Sequence, residues 1–319
     1  MAPQRRAATK APEGNEGADR RNRSSTKKDR APRETQRLWQ RSWLRIAGLG
    51  AGLVLTAFLL WSSLGADDGV AEVLARRGEV LVGRFIEVPC SEDYDSHRRF
   101  EGCTPRKCGR GVTDAIITRE EAERIRSIAE KGLSLGGSDG GASILDLHSG
   151  ALSVGKHFVN LYRYFGDKIQ NIFLEEDFQL YRDVRRKVQL TIAEAFGISA
   201  ASLHLTKPTF FSRINSTEAR TAHDEYWHAH VDKVTYGSFD YTSLLYLSDY
   251  LQDFGGGRFV FMEEGANKTV EPRAGRVSFF TSGSENLHRV EKVYWGTRYA
   301  ITIAFSCNPD HGIQDPAFP

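Results

Sequence analysis

In His228-Ala229-His230-Val231-Asp232, two imidazoles and a carboxylate recur at every second position. On an extended strand such residues share one face, so the segment is a candidate for metal binding, or else a polar strand edge with satisfied histidines. His288 lies 56 residues beyond Asp232, and Arg298 lies ten beyond His288. His-x-Asp with a distant His makes a two-His, one-carboxylate facial triad. On a six-coordinate ion the triad leaves three cis positions open, which suits non-haem Fe(II) and oxygen chemistry. A chelating 2-oxo acid would fill two of them and dioxygen the third. Arg298 opens the otherwise apolar run 298–305. An inward arginine there needs an anion, and its planar fork matches a carboxylate; the blander reading is a surface residue at a strand start. A zinc hydrolase built from His228, His230 and His288 is disfavoured, because no glutamate stands beside a ligand as in the HExxH helix.

These residues need elements to hold them. Thr118-Arg119-Glu120-Glu121 reads as a capping box, with Ala122, Ile125, Ile128 and Ala129 on one face of the helix it opens and Gly132 to stop it. Residues 134–150 are rich in Gly and Ser and read as a loop. A second helix is predicted from Glu175 to Phe196, with Phe178, Tyr181, Val184, Val188, Ile192 and Phe196 at helical spacing and Gly197 to end it. From residue 203 the period shortens. Seven runs read as strands: 203–211, 226–236, 242–248, 258–262, 276–281, 287–294 and 298–306. Helices that precede the strands, rather than alternate with them, predict an α+β chain with a sandwich or barrel and disfavour a parallel sheet.

The chain has 319 residues with 43 Lys/Arg against 41 Asp/Glu, but the charge is unevenly placed. Residues 1–45 carry 13 Lys/Arg and 5 Asp/Glu, a net +8, which leaves the rest at −6. An acidic body speaks against a nucleic-acid partner. The basic stretch 1–45 has little to bury and reads as a disordered tail. Ile46 to Ala66 is free of charge and long enough, at 1.5 Å per residue, to cross a bilayer as one helix. Arg41 and Arg45 before it, and Asp67 and Asp68 after it, predict a signal-anchor with the N-terminus cytosolic and the body lumenal or extracellular. The leader is too long for a cleaved signal peptide. Asn215-Ser216-Thr217 and Asn267-Lys268-Thr269 are sequons compatible with that side. All four cysteines (Cys90, Cys103, Cys108, Cys307) lie beyond the span, which suits an oxidising compartment; four cysteines allow three pairings and the sequence does not choose. Zinc at the Cys90–Cys108 cluster is disfavoured for want of a paired CxxC.

The strand region resembles the 2-oxoglutarate- and Fe(II)-dependent oxygenases, in the prolyl 4-hydroxylase-like branch. The matching residues are His230-Val231-Asp232, Leu244-Leu245-Tyr246-Leu247-Ser248-Asp249, the turn Gly255-Gly256-Gly257-Arg258-Phe259, Pro272-Arg273-Ala274-Gly275-Arg276, His288 and Arg298. The resemblance implies a double-stranded β-helix, or jelly roll, with His230, Asp232 and His288 as Fe(II) ligands and Arg298 pairing the far carboxylate of 2-oxoglutarate. It implies hydroxylation of a C–H bond with release of succinate and CO2, O2 and 2-oxoglutarate as partners, L-ascorbate as reductant, and a lumenal protein or peptide as substrate. The alternative is a silent, membrane-tethered binding module that keeps the metal site. Collagen-type members usually carry Lys where Arg298 stands, though Arg also serves. The turn usually reads Gly-Gly and then a polar residue, so Gly257-Arg258 is a departure on the substrate side. His228 has no assigned role. The expected organisation is a tail over 1–45, a membrane helix over 46–66, a stem with the Cys cluster over 67–112, a helical support over 113–202, the oxygenase core over 203–308 and a C-terminal tail over 309–319.

Overall fold

A computed structural model describes residues 71–95 and 99–316; the tail read over 1–45 and the span read over 46–66 lie outside the described residues. Among the described residues no helix is long and apolar enough to cross a membrane. Thr118 caps the first helix, α1 (Arg119–Leu133): its Oγ accepts the Glu121 N–H at 3.1 Å, and the Glu121 carboxylate accepts the Thr118 N–H at 2.9 Å. The helix runs one residue past Gly132, to a cap at Ser134. After the short α2 (Leu161–Phe165), α3 spans Glu175–Phe196, the bounds its periodicity predicts, and Gly197 ends it at φ 67°. That left-handed cap costs glycine nothing.

The strands are β1 (Glu72–Ala75), β2 (Arg84–Val88), β3 (Cys108–Thr113), β4 (Gly137–Ser138), β5 (Ala142–Leu145), β6 (Ala151–Gly155), β7 (His157–Asn160), β8 (His204–Asn215), β9 (Tyr241–Tyr246), β10 (Phe254–Gly256), β11 (Phe259–Phe261), β12 (Lys268–Val270), β13 (Val277–Thr281), β14 (His288–Val290) and β15 (Val293–Ser306). They form a large sheet in the order β2-β3-β13-β9-β15-β8-β5-β6-β4, with β7 on β6 and β10 on β15, and a small sheet in the order β1-β12-β11-β14. After residue 203 the chain passes repeatedly between the two. This mixed architecture with a sheet-rich core is consistent with a jelly roll.

Alternation along β9 and β15 divides the interior. Tyr241 and Leu245 on β9, with Tyr299, Ile301, Ile303 and Phe305 on β15, join Ile125 and Ile128 of α1 and Val184, Val188 and Ile192 of α3 in one apolar core. The opposite faces of the same strands turn Leu244, Tyr246 and Ala300 toward Phe259 and Phe261 of the small sheet. The period of two thus gives one side of the large sheet to the supporting helices and the other to an intersheet space.

Several local expectations are corrected. Residues 226–236 form no strand: a turn leads to a single bridge at His230, and Asp232 begins α4 (Asp232–Tyr236). The alternation His-Ala-His-Val-Asp resembles a strand, but only one bridge partner is available, so no ladder forms. The run 287–294 divides between β14 and β15, which lie in different sheets. The Gly-rich stretch 134–150 holds β4 and β5. The segment read as a stem supplies β1, β2 and β3 to the two sheets. Buried Arg276 binds it to the body: its guanidinium donates twice to Asp114 at 2.9 Å and also to the carbonyls of Arg76 and Glu79. Two disulfides, Cys90–Cys108 and Cys103–Cys307, resolve the pairing left open by sequence.

Candidate metal centre

His230, Asp232 and His288 converge, with one potential ligand atom of each within 4.8 Å of the others. They arrive by separate routes. His288 begins β14, Asp232 begins α4, and His230 bridges to His288 with N–H···O distances of 2.9 and 3.1 Å. Asp232 Oδ1 lies 3.5 Å from His230 Nε2 and 3.6 Å from His288 Nε2.

Each ligand atom is oriented by a bond on its other side. His288 Nδ1 donates to the Asn286 carbonyl at 2.8 Å, and His230 Nδ1 donates to the His228 carbonyl at 3.1 Å. With the proton held on Nδ1, the neutral form of each ring presents a bare Nε2 toward the carboxylate, the arrangement that metal-bound histidines need. Asp232 Oδ2 accepts from Thr242 Oγ at 2.6 Å, which leaves Oδ1 for a cation. Thr242 Oγ in turn meets Ser282 Oγ at 2.9 Å. The His288 ring stacks on Phe259 with centroids 4.9 Å apart and is met edge-on by Phe280 at 5.0 Å.

The electrostatics are those of a site short of positive charge. Burial alone would raise the Asp232 pKa, but the His288 charge and the bonds from His230 and Thr242 outweigh it and hold the carboxyl below its usual range. Burial lowers the His288 pKa, against the pull of Asp232. At His230 burial is overcome by Asp232, and the pKa rises.

Arg298 lines the same cavity of about 650 Å³ as the three residues. It is 1% exposed, and its Nε donates to the Gly257 carbonyl at 3.0 Å. Its Nη2 is buried without a hydrogen-bond partner. Among the described residues no carboxylate pairs with it, and burial lowers its pKa. A buried guanidinium nitrogen left bare at a cavity wall is a costly group that a carboxylate would satisfy. Two imidazoles and one carboxylate, with a fixed cation in the same cavity, fit Fe(II) and an anionic chelating acid.

His228 does not join the site. Its side chain is 66% exposed and pairs with Glu225 at 2.8 Å; only its carbonyl serves, as the acceptor for His230. Arg258 is also taken, since its guanidinium grips Glu291 with two bonds of 2.8 and 2.7 Å. Sequence reasoning missed Thr242 and Tyr226. Thr242 is one hydroxyl in a strand and gives no signal until Asp232 is placed beside it. Tyr226 lines the cavity and accepts the Val293 N–H at 2.8 Å, from within a segment misread as strand.

The family model described as 2OG-Fe(II) oxygenase superfamily matches residues 215–306. The chain is 93% identical over 319 residues, all of both chains, to the protein called 2-oxoglutarate and iron-dependent oxygenase domain-containing protein 3 of Homo sapiens. It is 41% identical over 73 residues, 22% of this chain and 10% of the other, to prolyl 3-hydroxylase 2 of Mus musculus. A solved viral collagen prolyl hydroxylase from Paramecium Bursaria Chlorella virus-1 aligns over 61% of this chain and 94% of its own, at TM-score 0.39 and 13% identity. The full-length match at high identity, over a chain that brings two histidines and an aspartate together, makes this chain a member of the 2OG-Fe(II) oxygenase superfamily, the 2-oxoglutarate- and iron-dependent oxygenases.

Proposed function

We propose that this oxygenase hydroxylates a side chain of a protein or peptide, releasing succinate and CO2, with residues 46–66 anchoring it in a membrane and residues 203–308 acting as its core on the lumenal or extracellular side. The observation that carries the reading is the unpaired, buried Arg298 in the cavity of the His-Asp-His triad. In this reading His230, Asp232 and His288 hold Fe(II), and Arg298 takes the far carboxylate of 2-oxoglutarate. Bound Fe(II) supplies the redox chemistry by which dioxygen is used at the expense of the keto acid.

The chain's own residues do the rest. The carbonyls of Asn286 and His228 keep both Nδ1 atoms protonated, so each Nε2 keeps its lone pair for the ion. Thr242 selects which carboxylate oxygen of Asp232 is free. Leu244, Phe259 and Val290 line the cavity and limit the water that reaches the reacting groups. L-ascorbate as the reductant, and glycans on Asn215 and Asn267, belong to the same reading. Asn215 ends β8 and Asn267 directly precedes β12, and both are half-buried.

The test is Fe(II)-stimulated succinate formation by the full chain in detergent, with and without ascorbate, beside Asp232→Ala. Succinate that depends on both Fe(II) and Asp232 supports the reading. Metal and 2-oxoglutarate binding without succinate, across peptide substrates, would favour the silent binding module. A mass gain of 16 on lumenal proteins, lost with Asp232→Ala, would identify the substrate. Deglycosylation of the cell-made protein with a shift lost in the Asn215→Gln and Asn267→Gln variants tests the topology.

A further inference from the structure

Asp240 lies outside the cavity of the triad, yet its carboxylate is committed to the parts of the chain that hold Asp232. Its Oδ1 accepts from Lys233 Nζ at 2.8 Å, in an ion pair whose side chains are only 9% and 11% exposed. Its Oδ2 accepts the Cys307 N–H at 2.7 Å and the Ser306 hydroxyl at 3.3 Å. Lys233 is the residue after Asp232 in α4. The Lys233 N–H donates to the Ser282 carbonyl at 2.9 Å, and the Ser282 N–H donates to the Asp240 carbonyl at 3.0 Å. Two residues beyond Asp240, Thr242 holds the Asp232 carboxylate itself. The segment 240–242 therefore grips Asp232 twice, once through its neighbour and once directly.

The other side of Asp240 meets a disulfide. Cys307, whose N–H it accepts, is bonded to Cys103. The hydroxyl of Tyr241 donates to the Cys103 carbonyl at 2.8 Å. Both halves of the crosslink thus touch the adjacent residues Asp240 and Tyr241.

A helix of five residues cannot hold its own direction, because nucleation is unfavourable and too few bonds follow it. The aim of Asp232 must therefore come from ties outside α4. Asp240 is tied on both carboxylate oxygens, so the buried pair has a fixed direction, and removing one member leaves the other charge uncompensated. We propose that Asp240 is a positioning residue for the metal centre: through Lys233 it sets α4 and the Asp232 carboxylate, while the Cys103–Cys307 bond holds Asp240 in place. The inference rests on Asp232 being a metal ligand, as proposed above.

The experiment is Co(II) titration of the full chain in micelles, read by visible absorption, beside thermal unfolding of the metal-free protein and steady-state kinetics. Asp240→Asn is expected to weaken Co(II) binding about tenfold, the lower end for groups that orient a metal ligand. It should lower kcat with little change in the KM for 2-oxoglutarate, because Arg298 is held separately, by Gly257. Lys233→Met should weaken Co(II) binding similarly, and the double variant should be no worse than either single one. Asp240→Glu should restore part of the affinity. If Asp240→Asn does not fold, Lys233→Met and the paired Cys103→Ser, Cys307→Ser variant carry the test, with the same expected loss. Co(II) affinity within twofold of wild type in Lys233→Met and in every folded Asp240 variant, whatever their melting temperatures, would overturn the proposal. Asp232→Ala separates the two claims: if it binds Co(II) as wild type does, the ligand assignment fails; if it does not bind while Asp240→Asn binds normally, only the positioning role fails.

Discussion

The backbones of His230 and His288 exchange both of their hydrogen bonds, at 2.9 and 3.1 Å, in a single bridge outside any longer ladder. That pairing sets their ring centroids 4.4 Å apart, although 58 residues separate them in the chain. Main-chain atoms make the bridge, so it survives loss of either side chain. His230→Ala is therefore expected to fold, with metal-free stability within about 1 kcal/mol of wild type. The rise in melting temperature on adding Mn(II) should vanish, since that rise requires binding to the folded state alone. Calorimetry with and without Mn(II) reads both.

Arg298→Gln should raise the KM for 2-oxoglutarate about 100-fold, which is roughly 3 kcal/mol of lost charge-assisted bonding. The same change should raise the melting temperature of the protein without cosubstrate, because it removes a buried and unpaired cation. Opposite signs in kinetics and stability are the distinguishing result.

Gly257→Ala should act through Arg298. Gly257 sits at φ 66°, and a Cβ there would meet Phe254 and Val293 at 2.9 Å and Arg298 Cδ at 3.1 Å. Its carbonyl also holds Arg298 Nε. The left-handed backbone alone costs alanine about 1 kcal/mol. We expect a KM for 2-oxoglutarate raised about tenfold or more, with kcat at saturating cosubstrate much less affected. Steady-state kinetics over a range of 2-oxoglutarate concentration checks it.

The two disulfides should differ in weight. Cys103–Cys307 closes a separation of 204 residues and Cys90–Cys108 one of 18. Loop entropy then predicts a loss of roughly 5 kcal/mol for paired serine variants of the first and about 3 kcal/mol for the second. Guanidinium unfolding of the two variants compares them directly.

Asp224 ties the approach to His230 onto the Gly-rich loop. It accepts from Ser138 Oγ at 2.7 Å, from the N–H groups of Arg220 and Thr221 at 3.0 and 2.8 Å, and from Thr221 Oγ at 3.0 Å. Burial opposes the charged form, but the bonds from Ser138, Arg220 and Thr221 outweigh it and lower the pKa. A folded pKa below the unfolded value of about 3.9 stabilises the protein fully above that value, and the contribution is lost as pH falls through the folded pKa. Asp224→Asn should therefore be less stable at pH 7 and lose less stability between pH 5 and pH 2.5 than wild type. Urea midpoints at the three pH values measure it.

Local physics made much of this molecule legible in advance. The capping box at Thr118, the apolar stripe from Phe178 to Phe196 and the alternation along 298–306 each report a period or an end that depends on near neighbours. The types and spacing of His230, Asp232, His288 and Arg298 likewise identify a candidate chemistry, because few other uses call for two imidazoles, an acid and an inward arginine. Tertiary structure alone decided how they meet. Asp232 stands on a helix rather than on a strand face, because Thr242 of β9 holds its carboxylate while Ser282, in the turn after β13, accepts the N–H of the residue that follows it. His228 faces outward because the chain turns before it can pair. Cys103 finds Cys307, and Arg276 finds Asp114, across separations that carry no sequence pattern. A periodicity encodes which side of an element is apolar; the partner on the far side of a long loop is fixed only when the whole core closes and each buried charge must find its counterpart.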